Sequence, residues 1–223
     1  MQFGVGLLLT AVAGFVDAVG YIELGGFFAS FMSGASISLG VGASGGAWGA
    51  VYHATLLIAV FVAAATVASV LSSILRPWRA PISIVLEAVC LSGAVLMIER
   101  GWSSSDSVVP VVAAMGVQNT VLAPIAGVRL GVTFMTGTLV SLSQALGRLV
   151  TGRAGPWSWT PHALIWCAFV AGAAAGAGLH IRHGFVALAV PTLVVWALAV
   201  LTCAVALLSA RKQRRSGAVS GRT

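Results

Sequence analysis

Charged residues are scarce in this chain of 223 residues, of which only 8% are Asp, Glu, Lys or Arg. A soluble domain carries about 25% charged residues, so the composition excludes an ordinary soluble domain. In place of charge, the chain is 59% hydrophobic and has a mean hydropathy of +1.02. Apolar runs of about 20 residues recur along it, which is the length that spans a hydrocarbon core about 30 Å thick. The sequence therefore predicts an all-α polytopic membrane protein.

Cysteine is also rare, and the three cysteines, Cys90, Cys167 and Cys203, all lie within apolar segments. An odd number without a C-x-x-C spacing predicts small packing residues rather than disulfides or metal ligands. No H-E-x-x-H, P-loop or G-x-S-x-G motif occurs, so nothing in the sequence indicates an enzyme. We expect neither a metal nor another cofactor.

Basic residues gather at the C-terminus, where Arg211, Lys212, Arg214 and Arg215 directly follow the last apolar run. Basic residues in this position hold a membrane protein's topology, and anionic lipid nearby reinforces them. We therefore predict that residues 210–223 form a cytoplasmic tail at the lipid bilayer. A nucleic-acid-binding arm needs more basic residues with aromatic residues among them, so we expect no nucleic-acid partner.

A tetrapeptide ending in glycine occurs twice, as Phe31-Met32-Ser33-Gly34 and as Phe134-Met135-Thr136-Gly137. Upstream of these copies, Gly14-Phe15-Val16-Asp17 corresponds to Gly116-Val117-Gln118-Asn119 at the same spacing, to within one residue. The repeat is too long for a solenoid unit and is typical of a transporter built from two halves. We predict two membrane repeats, over residues 1–101 and 108–209.

Each repeat is predicted to contain four helical segments. They cover residues 4–22, 27–41, 52–75 and 81–98 in the first half, and 108–125, 130–149, 161–179 and 185–208 in the second. The third segments also correspond, because Phe61-Val62-Ala63 is echoed by Phe169-Val170-Ala171. Between the last two segments, His180 and His183 are predicted to lie in a solvated loop.

The relative orientation of the halves depends on whether the segments that carry the tetrapeptides cross the bilayer. If all eight segments cross and the C-terminus is inside, the halves are parallel and four arginines lie outside, namely Arg76, Arg79, Arg129 and Arg182. If those two segments are broken or re-entrant, six full spans remain, the halves are inverted, and only Arg100 and Arg182 lie outside. Cytoplasmic loops carry an excess of Lys and Arg, which favours the inverted arrangement. The length of segment 130–149, which is sufficient to cross, favours the other.

Two acidic residues lie within apolar segments, where a charged Asp costs about 2.5–3.5 kcal/mol on insertion scales. Asp17 lies beside the duplicated motif, and its counterpart in the second half is the neutral Asn119. This asymmetry predicts proton or cation coupling through Asp17. The alternative is a protonated Asp17 that bonds to a backbone carbonyl. Glu87 is either a second proton carrier or the partner of an arginine such as Arg129.

Neutral polar residues complete the candidate site. Gln118 and Asn119 offer amide groups for substrate recognition or, alternatively, for contacts between helices. A glycine after Ser or Thr lets a helix start anew, and free N–H groups at such a break hold anionic groups. Ser33-Gly34 and Thr136-Gly137 are therefore candidate substrate-binding residues, with close helix packing as the alternative.

The stretch Ala13-Gly14-Phe15-Val16-Asp17-Ala18-Val19-Gly20, followed by Met32-Ser33-Gly34, resembles the opening of the YoaK-like family of small bacterial membrane proteins. Ala114-Met115-Gly116-Val117-Gln118-Asn119 and Thr133-Phe134-Met135-Thr136-Gly137-Thr138 resemble the second hallmark of that family. The first signature of the family usually reads Met-Thr-Gly-Asn, whereas this chain has Ser33 and Ala35. The resemblance implies a multi-pass protein of the bacterial plasma (inner) membrane with a domain of unknown function.

Together these features predict a small, proton-coupled secondary transporter of an unidentified small solute. Its midplane site, between the repeats, would contain Asp17, Ser33, Gln118, Asn119 and Thr136. The alternative is a non-transporting membrane scaffold or accessory subunit. Convergence of these residues on a water-accessible cavity favours the transporter, and dry burial favours the scaffold. A chain of this length is short for a transporter, which is consistent with a homodimer.

Overall fold

The computed structural model describes residues 2–23, 25–75, 78–121 and 135–220, with side chains described from Phe3 to Ser209. These residues form eight α-helices and no strand. The helices are α1 (Gln2–Glu23), α2 (Met32–Gly45), α3 (Trp48–Ile74), α4 (Arg79–Glu99), α5 (Ser104–Val121), α6 (Met135–Val150), α7 (Thr160–His183) and α8 (Ala189–Ser220).

Four stretches of the described residues are long and apolar enough to cross a membrane, namely Phe3–Glu23, Trp48–Ile74, Arg79–Glu99 and Thr160–Ser209. The last stretch contains α7 and the greater part of α8, which are separated by a 3₁₀ turn at Gly184–Leu188. Gly184 has a φ of 61°, a conformation that glycine adopts readily and that ends α7. This architecture agrees with the helical membrane protein that the composition predicts.

Helix boundaries differ from the predicted segments at several points. The helix predicted from residue 27 begins only at Met32, because the residues before it run back along α1. Only Gly46 and Ala47 separate α2 from α3, since Gly46 adopts a left-handed conformation that ends α2 at once. His180 and His183 belong to α7 rather than to a loop. In the second half, Arg129 and Phe134 lie outside the described residues.

Contacts at helix ends define the directions of the helices. The Ser104 hydroxyl, at the start of α5, donates a hydrogen bond of 2.7 Å to Glu23 at the end of α1. His180, near the end of α7, lies 3.5 Å from the same carboxyl group. We call this side of the molecule the Glu23 end. Helix α1 is therefore parallel to α7 and antiparallel to α5.

At the opposite side, the ends of α3 and α5 meet the start of α4. Ser72 of α3 and Ser83 of α4 have their hydroxyl oxygens 3.1 Å apart. Thr120 of α5 lines a cavity together with residues of α3 and with Arg79. We call this side the Arg79 end. Helix α3 is therefore parallel to α5, and both α3 and α7 connect the two ends of the molecule.

Glycines allow two pairs of helices to touch through their backbones. A β-carbon at Gly172 of α7 would lie 2.0 Å from the carbonyl oxygen of Ala11, and one at Gly14 would lie 2.1 Å from that of Phe169. A β-carbon at Gly116 of α5 would lie 2.6 Å from the carbonyl oxygen of Phe61 in α3. Such contacts place α1 against α7, and α5 against α3, closer than any larger residue permits.

Candidate functional site

Asp17 lies in the buried face of α1 and is only 2% exposed. The backbone N–H of Ser30 donates to its Oδ1 atom over 2.8 Å, and the Ser30 hydroxyl donates to Oδ2. Among the described residues, the partners of Asp17 are therefore donors of Ser30 rather than the backbone carbonyl that the alternative expected. Asp17 instead holds the non-helical residues that precede α2.

Those non-helical residues, 25–31, run back along α1. Ala29 packs beside Gly20, and Ser30 reaches Asp17. The ring of Phe31 packs edge-on against Phe169, with 6.0 Å between the ring centroids. The backbone of Phe169 in turn lies against Gly14, near the middle of α1. Since Phe31 directly precedes α2, this helix begins beside the middle of α1. Its other end connects through two residues to the start of α3, at the Glu23 end.

The starts of α2 and α6 meet at one apolar cluster. Met135 and Ile165 are buried together, and Phe3, Leu7, Phe31 and Phe169 pack against them. One residue of each repeated tetrapeptide thus contributes to the same contact. The hydroxyl-bearing residues Ser33 and Thr136 are exposed, as is Gly137, whereas Gly34 is half-buried. Hence the structure brings the motifs together without burying their polar side chains.

Gln118 is fully buried, and its amide nitrogen donates a hydrogen bond of 3.0 Å to the carbonyl oxygen of Leu9. This bond links α5 to α1, as the alternative role in helix contacts predicts. The Gln118 Oε1 atom has no hydrogen-bond partner among the described residues. Asn119 is half-buried and donates to the carbonyl oxygen of Met115 within its own helix, at 2.8 Å.

Glu87 is fully buried in α4, which packs against both α5 and α8. Neither of its carboxyl oxygens has a hydrogen-bond partner in the described part of the chain. Its candidate partner Arg129 lies outside the described residues. A buried acid in a membrane helix is a functional-site candidate, so a role in proton binding stays a prediction for Glu87.

A cavity of about 540 Å³ lies at the Arg79 end, lined by Ser69, Ser72, Ser73, Arg79 and Thr120. None of the described lining residues is among the site residues predicted from the sequence, although Thr120 directly follows the predicted residue Asn119. Sequence reasoning missed this group because isolated Ser and Thr residues are ordinary in membrane helices. Only the packing of α3, α4 and α5 brings them together. Among the described residues, no three His, Cys, Asp or Glu side chains are grouped as metal ligands.

The comparison with known families agrees with the paired motifs. A family described as "protein of unknown function (DUF1275)" matches residues 5–201, from α1 into α8. This chain belongs to the DUF1275 family. The match confirms the resemblance to YoaK-like proteins. No curated protein and no solved structure matches the chain. All candidate site residues of this DUF1275 protein lie inside the matched range, and the basic tail lies beyond it.

Proposed function

We propose that this DUF1275 protein is a small secondary transporter in which each half contributes three full spans and one re-entrant helix. The observation that carries the proposal is the interruption at residues 25–31, where non-helical backbone lies beside the middle of α1. Within a bilayer, such backbone is tolerated only where protein buries it or where it lines a water-filled cavity. Interrupted helices of this kind form the substrate and ion sites of many transporters.

Reciprocal packing supports inverted repeats over residues 1–101 and 108–209. Gly14 of the first half meets Phe169 of the second, and Gly116 of the second half meets Phe61 of the first. In the sequence repeat, Gly14 corresponds to Gly116 and Phe61 corresponds to Phe169, so the two contacts are counterparts of each other. The corresponding helices α1 and α5 also run antiparallel, as inverted repeats require.

The distribution of arginines supports a cytoplasmic Arg79 end. Arg79 and Arg153 lie at this end, and α8 runs toward it, so the basic tail follows there. Arg100 and Arg182 lie at the Glu23 end, at the ends of α4 and α7. Because cytoplasmic loops carry the excess of basic residues, we infer a cytoplasmic C-terminus in a bacterial inner membrane.

The two ends of the bundle differ in a way that suits alternating access. At the Glu23 end, one carboxyl group joins the ends of α1 and α7 to the start of α5. At the Arg79 end, a cavity lies between the ends of α3 and α5 and the start of α4. In inverted repeats the ends of α1 and α7 correspond to the ends of α5 and α3, so we infer that the contact is closed on the outside and open on the inside.

A second function, a non-transporting scaffold or accessory subunit, is favoured by a different observation. Asp17 and Gln118 are buried against protein partners rather than at the cavity. Within a bilayer, the exposed hydroxyls of Ser33 and Thr136 require water or protein as hydrogen-bond partners, because lipid tails offer polar groups no partner. A second copy of the chain would supply such partners, so a homodimer is part of both the transporter proposal and the scaffold proposal.

The deciding experiment is uptake of a metabolite panel into proteoliposomes under an imposed proton gradient, with wild type, Asp17→Asn and Asp106→Asn. Asp106 is exposed, so its variant controls for the same chemical change elsewhere. We expect proton-driven uptake by the wild type, and a loss of about tenfold or more in Asp17→Asn, because an amide side chain cannot bind and release the coupled proton.

Two other outcomes are informative. Uptake by Asp17→Asn that equals wild type at every pH would remove Asp17 from the mechanism while leaving transport intact. Absence of uptake for the whole panel, by protein that is folded and monodisperse, would favour the scaffold.

A further inference from the structure

The cavity at the Arg79 end has an unusual combination of lining groups. Its described lining consists of one arginine and four hydroxyl-bearing residues, and it contains no acidic residue. Arg79 is also the first residue of α4, whose start has no side-chain cap. The positive end of a helix dipole thus adds to the guanidinium charge. The electrostatics of the cavity therefore favour an anion.

The lining groups supply hydrogen-bond donors as well as charge. A guanidinium has five N–H donors and no acceptor, and its planar fork matches phosphate oxygens. The Ser73 hydroxyl donates to Val70 at 2.7 Å and the Thr120 hydroxyl donates to Val117 at 2.8 Å, each within its own helix. A hydroxyl rotates freely, so both can turn their protons toward an anion that enters the cavity.

The volume and the position of the cavity limit the size and the chemical type of the ligand. Its volume of about 540 Å³ holds a group larger than a single water or halide ion and lies in the range of small-molecule sites. It lies where α3 and α5 end and α4 begins, and the ends of membrane-spanning helices lie near the polar boundary of a bilayer. Both the phosphate of a lipid headgroup and a soluble phosphate compound reach such a position.

We propose that this cavity is a binding site for a phosphate-type oxyanion, held by Arg79 with the hydroxyls of Ser69, Ser73 and Thr120, while the Ser72 hydroxyl stays paired with Ser83. The site rests on its own lining and holds whether or not the protein transports a solute. Arg79 supplies the charge and the forked donors, and the hydroxyls supply shorter-range donors around the remaining oxygens. Charge-assisted hydrogen bonds of this kind are the stronger ones in proteins.

The test uses the purified full chain in detergent with two probes. Inorganic phosphate is titrated by calorimetry, and retention of phosphatidylglycerol against phosphatidylcholine is measured by native mass spectrometry. The variants are Arg79→Gln, Ser73→Ala and the control Arg100→Gln, which removes an exposed arginine from the other end of α4. We expect Arg79→Gln to weaken binding by about tenfold or more, and Arg100→Gln to change it by less than about threefold.

The two probes distinguish the two sources of phosphate. Saturable binding of inorganic phosphate that requires Arg79 assigns the site to a soluble compound. Selective retention of phosphatidylglycerol that requires Arg79, without binding of free phosphate, assigns it to a lipid headgroup. The proposal fails if wild type binds neither probe, or if Arg79→Gln and Arg100→Gln weaken binding equally. Ser73→Ala provides a milder second variant should Arg79→Gln not fold.

Discussion

At the scale of single residues, glycine decides how closely the helices of this protein approach. Hydrophobic burial contributes little to association within a bilayer, because lipid tails are as apolar as leucine. Van der Waals contact between backbones takes its place, and it requires positions without a side chain. Gly14, Gly172 and Gly176 supply such positions between α1 and α7, and Gly116 does so between α5 and α3.

Gly176→Ala is expected to destabilise the protein by about 1–3 kcal/mol, because it forces α1 and α7 apart. A β-carbon there would lie 2.5 Å from the carbonyl oxygen of Phe15, a backbone atom that cannot rotate away.

Gly178→Ala is the control, since nothing lies within 4 Å of a β-carbon at that position in the same helix. It should be neutral or stabilising by up to about 1 kcal/mol. Unfolding in mixed detergent, followed by circular dichroism, compares the two, and equal stability would contradict the packing.

At the scale of elements, α2 depends on contacts outside itself. It has only 14 residues and no side-chain cap at its start. Isolated helices of this length are marginal even in favourable sequences. Its position therefore depends on the bonds between Ser30 and Asp17 before it, and on the packing of Gly42 against Val51 of α3.

Ser30→Ala is expected to loosen α2 while leaving the rest of the bundle intact. The substitution removes the hydroxyl that donates to Asp17, and an unsatisfied buried acceptor costs about 1–3 kcal/mol. Ser33→Ala is the matched control, because Ser33 is exposed and lies three residues further on. Such exposed substitutions usually change stability by less than about 0.5 kcal/mol.

Hydrogen exchange measures this difference directly. Faster exchange over residues 29–45 in Ser30→Ala, but not in Ser33→Ala, is the expected result. Unaltered exchange in both variants would mean that Asp17 does not anchor α2.

At the scale of the whole molecule, the arrangement of the two proposed repeats determines which loops share a side of the membrane. With re-entrant α2 and α6, residue 100 lies outside and residue 153 inside. With eight full spans in parallel repeats and the C-terminus inside, residue 100 also lies inside. The position of residue 100 therefore separates the two arrangements.

Labelling of single cysteines tests this topology. Arg100→Cys and Arg153→Cys are introduced separately into a variant in which Cys90, Cys167 and Cys203 are replaced by alanine. Both side chains are exposed, so burial within the protein does not block labelling at either position. An impermeant maleimide added to intact cells should label residue 100 and not residue 153. Protection of residue 100 until the cells are permeabilised would exclude the inverted arrangement.

The sequence by itself determined the class of the protein, its family and the approximate course of most helices. Hydropathy and length are local properties that add along a chain, which is why segments such as 81–98 agree closely with α4. It also identified Asp17 and Gln118 as unusual, because a polar group in an apolar run is costly whatever surrounds it.

Only the tertiary structure decided what those polar groups contact. Asp17 meets Ser30 because the chain reverses between them, and Gln118 meets Leu9 across 109 residues. The cavity likewise exists only where α3, α4 and α5 pack together. Such contacts depend on helix directions and on the glycine positions that allow close approach. Neither can be obtained from the hydropathy of one segment at a time.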